Sequence, residues 1–137
     1  MEAWDVIVIG DGPAAMRAAI ESAKSGASTL LSSPFSLGAG NTCAMDGLAA
    51  SIMESDSKSH SNDTIRAGAF LCDQDIVAKR VANAVSQVNL LERWGVIFRR
   101  NTKGTPHAAT SFGHSKPRVT SAGDAMVRET QQVLEEQ

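Results

Sequence analysis

The chain has 137 residues, a formal net charge of -2, 42% apolar residues and 20% charged ones. That is the composition of an ordinary globular domain, or part of one. Thirteen basic against fifteen acidic side chains form no basic stripe, and four Phe, two Trp and no Tyr offer little for base stacking, which excludes a nucleic-acid binder. No run approaches the roughly 20 apolar residues of a membrane span.

The first residues, Met-Glu-Ala-Trp-Asp, carry no basic n-region and no Arg-rich transit character. Cys43 and Cys72 lie far apart and in no metal or redox spacing, so both read as reduced thiols. A cytoplasmic chain is the expectation.

Val6 to Ile9 is a β-branched run expected as a strand buried on both faces of a parallel sheet. Gly10 to Gly12 turns the chain, Pro13 suits a first helical position, and Gly26 suits the residue past a helix end. Between them Met16, Ala19, Ile20 and Ala23 share one helical face. Thr29 to Leu31 then reads as a second strand, closing a βαβ unit over residues 1–32.

Residues 32–62 are rich in Ser, Gly, Asn and Asp and read as a long loop with a modest apolar patch at Ala44 to Met53. Asp73 can cap a helix whose stripe is Val77, Val81, Ala84, Val85, Val88 and Leu91, ended by Gly95. Val96 to Phe98 reads as a short strand, and residues 101–120 as loop. Ser121 with Asp124 can cap a last helix with Met126, Thr130, Val133 and Leu134 on its apolar face. Two parallel strands cannot cover these helices, so the pattern reads as the front of a larger α/β domain.

Gly10-x-Gly12-x-x-Ala15 sits after a strand and opens a helix, where a dinucleotide fingerprint belongs. Gly10 permits the tight turn, Gly12 lets the backbone approach a pyrophosphate, and Ala15 allows close helix–strand packing. Pro13 and Ala14 begin the helix whose N-terminus receives the phosphates. The alternative is a tight βα turn with no ligand. The usual acidic ribose ligand about 20 residues on is absent, and Ser32 and Ser33 stand at the end of the second strand. Serine lacks a carboxylate's bidentate grip, which weakens a nicotinamide reading more than a flavin reading.

Six blocks occur in order: DVIVIGDGPAAMRAAIESAKSG, NTCAMDGLAA, LCDQDIVAKRV, LLERWGVIF, FGHSKPR and SAGDAM. Together they resemble the N-terminal part of the flavoprotein subunit of succinate dehydrogenase and fumarate reductase, a family that includes L-aspartate oxidase. The resemblance implies an incomplete doubly wound, Rossmann-like FAD-binding domain over residues 1–137, with flavin-covering loop and helices over 33–137 and no capping domain. It places Asn41, Thr42, Ala44, Met45, Asp46 and Gly47 along the flavin ring, with Met45-Asp46-Gly47 where members have a Gln-Gly-Gly or Glu-Gly-Gly. Gly40 stands where many members carry the histidine that bonds to the flavin, so noncovalent FAD is implied. Phe112 falls at the substrate end of the flavin; packing under a loop is its other reading. The FGHSKPR segment lacks one family glycine, and a Thr-Gly-His is missing before Ala125-Met126.

For the complete protein the resemblance implies hydride transfer between flavin N5 and the C2–C3 bond of succinate or fumarate. An L-aspartate oxidase-like enzyme, and a non-catalytic module for nucleotide or partner binding, are the alternatives. The proton-delivering arginine and the other substrate ligands have no counterpart in this chain, so no catalytic residue is assigned and the isolated chain is expected to be inactive. The implied partners are a small dicarboxylate, a companion chain carrying the substrate domain and an iron–sulfur subunit through which the protein is peripheral to a membrane. His60, His107 and His114 have no metal-ligand spacing, Asp73 and Asp75 read as helix caps, and Arg99-Arg100 beside Lys103 reads as a solvated edge.

Overall fold

The structure is a computed structural model that describes residues 3–39, 45–51 and 56–137. It divides into two units: Met1–Met45 with Ala125–Gln137, and Asp46–Asp124.

In the first unit β1 (Val6–Ile9) pairs in parallel with β2 (Thr29–Ser32), Val6 opposite Thr29 and Ile9 opposite Ser32. Helix α1 (Pro13–Lys24) crosses between them and buries Met16 and Ile20. Pro13 takes the first helical turn, where a missing N–H costs nothing, and Gly26 (φ 90°) sits past the end, as the βαβ pattern requires. The expected burial of β1 on both faces differs from the structure. Ile7 and Ile9 are 60% and 80% exposed, because two strands present a second face that no described element of this unit covers.

The last helix, α4 (Met126–Glu135), packs on α1 through Met126, Thr130, Val133 and Leu134, the four positions its periodicity indicates. Its start is later than the Ser121 cap implied. Gly123 takes a left-handed φ of 67°, a 3-10 turn (Gly123–Ala125) intervenes, and no side chain caps α4. Ser121 Oγ instead accepts from Gly123 N–H at 2.9 Å and donates to the Asp46 carbonyl at 2.6 Å.

In the second unit β3 (Leu48–Ala49) pairs antiparallel with β4 (Val119–Thr120). Between them in sequence lie α2 (Ser57–Ala67) and α3 (Gln74–Trp94), packed on each other. Asp73 caps α3, accepting from the amides of Asp75 (3.0 Å) and Ile76 (3.1 Å), and Val77, Val81 and Val88 are buried beneath it. Removing that cap with Asp73→Ala is expected to cost about 1 kcal/mol, read as a lower urea midpoint at unchanged slope. Val96 to Phe98 forms no strand, although Val96 and Phe98 are buried and Ile97 is exposed. The chain beyond it is held through Arg99, whose N–H donates to the Ser121 carbonyl and whose carbonyl accepts from His107.

Helix α2 lies where the sequence reads as loop. Its inward residues, His60 and Asp63, are polar, so no apolar stripe announces it. Arg118, buried immediately before β4, holds it in place. Its Nε and Nη2 donate to Asp56 Oδ2 (2.5 Å) and Oδ1 (3.0 Å), its Nη1 to Asp63 Oδ2 (2.6 Å), and its Nη2 also to Ser59 Oγ (2.8 Å). The Arg118 backbone is fixed as well, its N–H donating to the Ala109 carbonyl and its carbonyl accepting from Ala50.

Candidate functional site

The two glycines of the turn between β1 and α1 differ in their surroundings. At Gly10 φ is 144°, and a Cβ would stand 2.9 Å from Ala15 Cβ, so the fold itself demands glycine there. The Gly10 N–H donates to the Ser32 carbonyl at 2.9 Å, which brings the first glycine to the end of β2. Gly12 is different. Its backbone (φ -86°, ψ 174°) suits any residue, and a Cβ would meet nothing within 4 Å. Nothing in the described chain needs a glycine at 12; an external group lying against the backbone would.

The chemistry of the turn fits an anion. No side chain caps α1 and its first turn has no acidic residue, so among the described residues the amides of Ala14 and Ala15 are left to an outside acceptor. The helix dipole adds partial positive charge at the same point. Asp11, between the glycines, has Oδ2 buried without a hydrogen-bond partner. That acceptor calls for a donor.

Ser32 ends β2 beside Ile9, while Ser33 Oγ accepts from the Phe35 amide at 3.1 Å and orders the loop that follows. Gly10, Gly12, Pro13, Ala14, Ala15, Ser32 and Ser33 are thus gathered in one unit, which also contains Met45. Gly40, Asn41, Thr42 and Ala44 lie outside the described residues. Asp46, Gly47 and Phe112 belong to the second unit. A Cβ at Gly47 would stand 2.7 Å from the Thr120 carbonyl and from Val119 Cγ1, so the β3–β4 pairing already requires glycine there. Phe112 is fully exposed, not packed under a loop.

The FAD binding domain family matches residues 5–136. The chain belongs to that family. This FAD-binding domain is homologous to the N-terminal region of the succinate dehydrogenase, fumarate reductase and L-aspartate oxidase flavoproteins. Its sequence is 37% identical to the L-aspartate oxidase of Yersinia pestis over 95% of the chain, and 36% identical to that of Streptomyces coelicolor over 98%. These alignments cover 25% and 24% of the two enzymes, so the chain spans about a quarter of their length. Among solved structures, Sdh1 of Mycobacterium smegmatis in complex with UQ1 superposes with a TM-score of 0.89 at 28% identity, covering 98% of this chain and 23% of that one. Quinol fumarate reductase of E. coli gives the same TM-score and identity, over 97% of this chain and 23% of that one.

The second unit of this FAD-binding domain holds a polar cluster that sequence reasoning missed. His60 Nδ1 and Ser51 Oγ are hydrogen-bonded at 3.1 Å, and the His60 and His114 rings are 5.5 Å apart. Burial, with Arg118 and His114 nearby, pushes the His60 pKa down, so its imidazole is neutral at pH 7. Hydrogen bonds from Arg118 hold the Asp56 carboxyl down to about 2. Hydrogen bonds from Ser115 and Arg118 hold Asp63 lower still. The spacing of Asp56, His60 and Asp63 on one helical face is the signal that could have found the cluster, but its partner lies 55 residues beyond Asp63. Among the described residues no three His, Cys, Asp or Glu side chains are placed to hold a metal, and no helix is long and apolar enough to cross a membrane. Arg99 and Arg100 are exposed, and Arg100 pairs with Glu92 at 2.7 Å.

Proposed function

We propose that the chain is the FAD-binding part of an L-aspartate oxidase-like flavoenzyme and holds FAD noncovalently. The observation that carries the nucleotide reading is Gly12, a glycine with no internal reason to be one, at the uncapped start of α1. In this reading the amides of Gly12, Ala14 and Ala15 bind the pyrophosphate, and Gly10 and Ala15 hold the turn to β1. Ser32 and Ser33 lie along the ribose, and ligand hydroxyls supply the donor that Asp11 Oδ2 lacks. The segment with Asn41, Thr42, Ala44, Met45, Asp46 and Gly47 runs along the ring, and Phe112 faces the substrate.

Bound FAD supplies a two-electron acceptor for oxidation of a small acid. Aspartate takes precedence over succinate as that acid, because relatives named L-aspartate oxidase reach 37% and 36% identity. Similarity to Sdh1 and to quinol fumarate reductase, at 28% identity, supports the succinate–fumarate alternative and, with it, an iron–sulfur partner and a membrane-peripheral location.

The test is the absorption spectrum of the purified chain after FAD is added and free ligand is filtered away. A retained flavin band that acid denaturation releases is expected. A folded chain that stays colourless would overturn the reading and leave a non-catalytic module. Substrate choice is then read by adding back a polypeptide homologous to the rest of these relatives and comparing flavin bleaching by L-aspartate and by succinate.

A further inference from the structure

A line of hydrogen bonds runs from the last helix to the nucleotide turn, and it lies wholly within the first unit. Gln131 on α4 uses one amide nitrogen twice: Nε2 donates to the Leu37 carbonyl at 2.6 Å and to Glu135 Oε1 at 2.7 Å. The next residue, Gly38, is buried at φ 78°, and a Cβ on it would overlap the Gln131 amide. Glycine at 38 therefore lets Gln131 lie directly on the loop. The Gly38 N–H in turn donates to the Asp11 carbonyl at 2.7 Å.

That last bond bears on the ligand. The Asp11 carbonyl and the Gly12 N–H belong to one peptide unit, which is planar and trans. In a trans peptide the two groups point in opposite directions. With its carbonyl bound to Gly38, the Asp11–Gly12 peptide must aim the Gly12 N–H away from the 37–39 loop. Freed from Gly38, that peptide could rotate through the φ and ψ angles on either side of it, and the Gly12 donor would lose its direction.

We propose that Gln131 is a positioning residue for FAD: through Leu37 and Gly38 it fixes the Asp11–Gly12 peptide, and so orients the Gly12 N–H that meets the pyrophosphate. The inference rests on the turn being the pyrophosphate site. It makes α4 part of the cofactor machinery, although none of its residues belongs to the fingerprint. Glu135 adds to the latch by holding the Gln131 amide from the other side.

Two variants separate the hydrogen bond from bulk. Gln131→Glu keeps the shape but replaces the donor with an acceptor that faces the Leu37 carbonyl and the Glu135 carboxylate. Gln131→Lys keeps a donor within reach of both. In the full chain the Glu variant is expected to weaken FAD binding about tenfold and the Lys variant less than about twofold, the scale of one oriented hydrogen bond. In the same ligand-free proteins the Gly38 amide should exchange with solvent deuterium faster in the Glu variant, while β1 and α1 amides keep wild-type protection. Equal FAD affinity in the Glu variant and wild type overturns the proposal. So does equal weakening in the Glu and Lys variants, or unchanged Gly38 exchange. Gly12→Asp is the separate control: if it binds FAD as well as wild type, or if wild type binds none, the pyrophosphate reading fails and takes this inference with it.

Discussion

Arg118→Met is expected to unfold the Asp46–Asp124 unit, or to leave it only marginally folded. The arginine side chain has no solvent exposure and meets two buried carboxylates, one of them with both oxygens. Methionine fills similar volume but leaves Asp63 buried without its cation and Asp56 with only the exposed Lys116, at 3.2 Å. Breaking a buried pair in this way costs about 3–5 kcal/mol, a large share of the roughly 5–15 kcal/mol that holds a domain together. Trp94 lies in this unit, so urea unfolding of a Trp4→Phe background, followed by fluorescence, isolates it. A midpoint unchanged from wild type would mean that the cluster is ornamental and that α2 is held by something else.

The pH dependence gives the same prediction a sign. Asp56 has a folded value of about 2 against an ordinary 3.8, and Asp63 is lowered too. Groups depressed in the folded state stabilise it above their unfolded values and lose that contribution as the pH falls through the folded ones. Wild-type stability should therefore decline from about pH 4 towards pH 2. His60, also depressed, adds an earlier decline that begins below its ordinary 6.5. In Arg118→Met, Asp56 keeps only Lys116 at 3.2 Å and Asp63 keeps only its hydrogen bonds from Ser115, so the arginine's share of the depression is lost and both carboxyls are held down less. Its decline from about pH 4 to pH 2 should therefore be shallower than that of wild type.

The second large effect is on ligand binding. Gly12→Asp is expected to weaken FAD binding at least about 100-fold, some 2.7 kcal/mol, by placing bulk and negative charge at the proposed pyrophosphate position. The ligand-free protein should not suffer. Position 12 is the N-cap of α1 in an extended conformation with open space around it, and aspartate exceeds glycine there by a few tenths of a kcal/mol. Gly10→Val should behave in the opposite way. Its φ of 144° and the proximity of Ala15 Cβ strain any side chain, at about 1–3 kcal/mol, with or without FAD. Isothermal titration with FAD and melting of the ligand-free proteins read the two effects apart. If Gly12→Asp lowered stability as much as Gly10→Val, both glycines would serve the fold alone.

The amino-acid sequence by itself determined the first βαβ unit, the fingerprint, the family, the Asp73 cap and the apolar faces of α3 and α4. The family came from the resemblance of six ordered blocks; the other features are local, since a turn, a cap or a 3.6-residue stripe needs only neighbours within a few positions, so composition and spacing carry them. The tertiary structure decided the rest. Helix α2 exists because Arg118 reaches back to Asp56 and Asp63, and a helix whose inner face is charged leaves no periodic signal until its distant cation is known. Ser121 bonds to Asp46 rather than capping α4, and Val96 to Phe98 buries alternate side chains without taking strand form, since each depends on a segment remote in sequence. The difference between Gly10 and Gly12 is of the same kind. Both are glycine in the motif, and only the space around each Cβ shows that the fold requires the first and leaves open space at the second, where we propose the pyrophosphate.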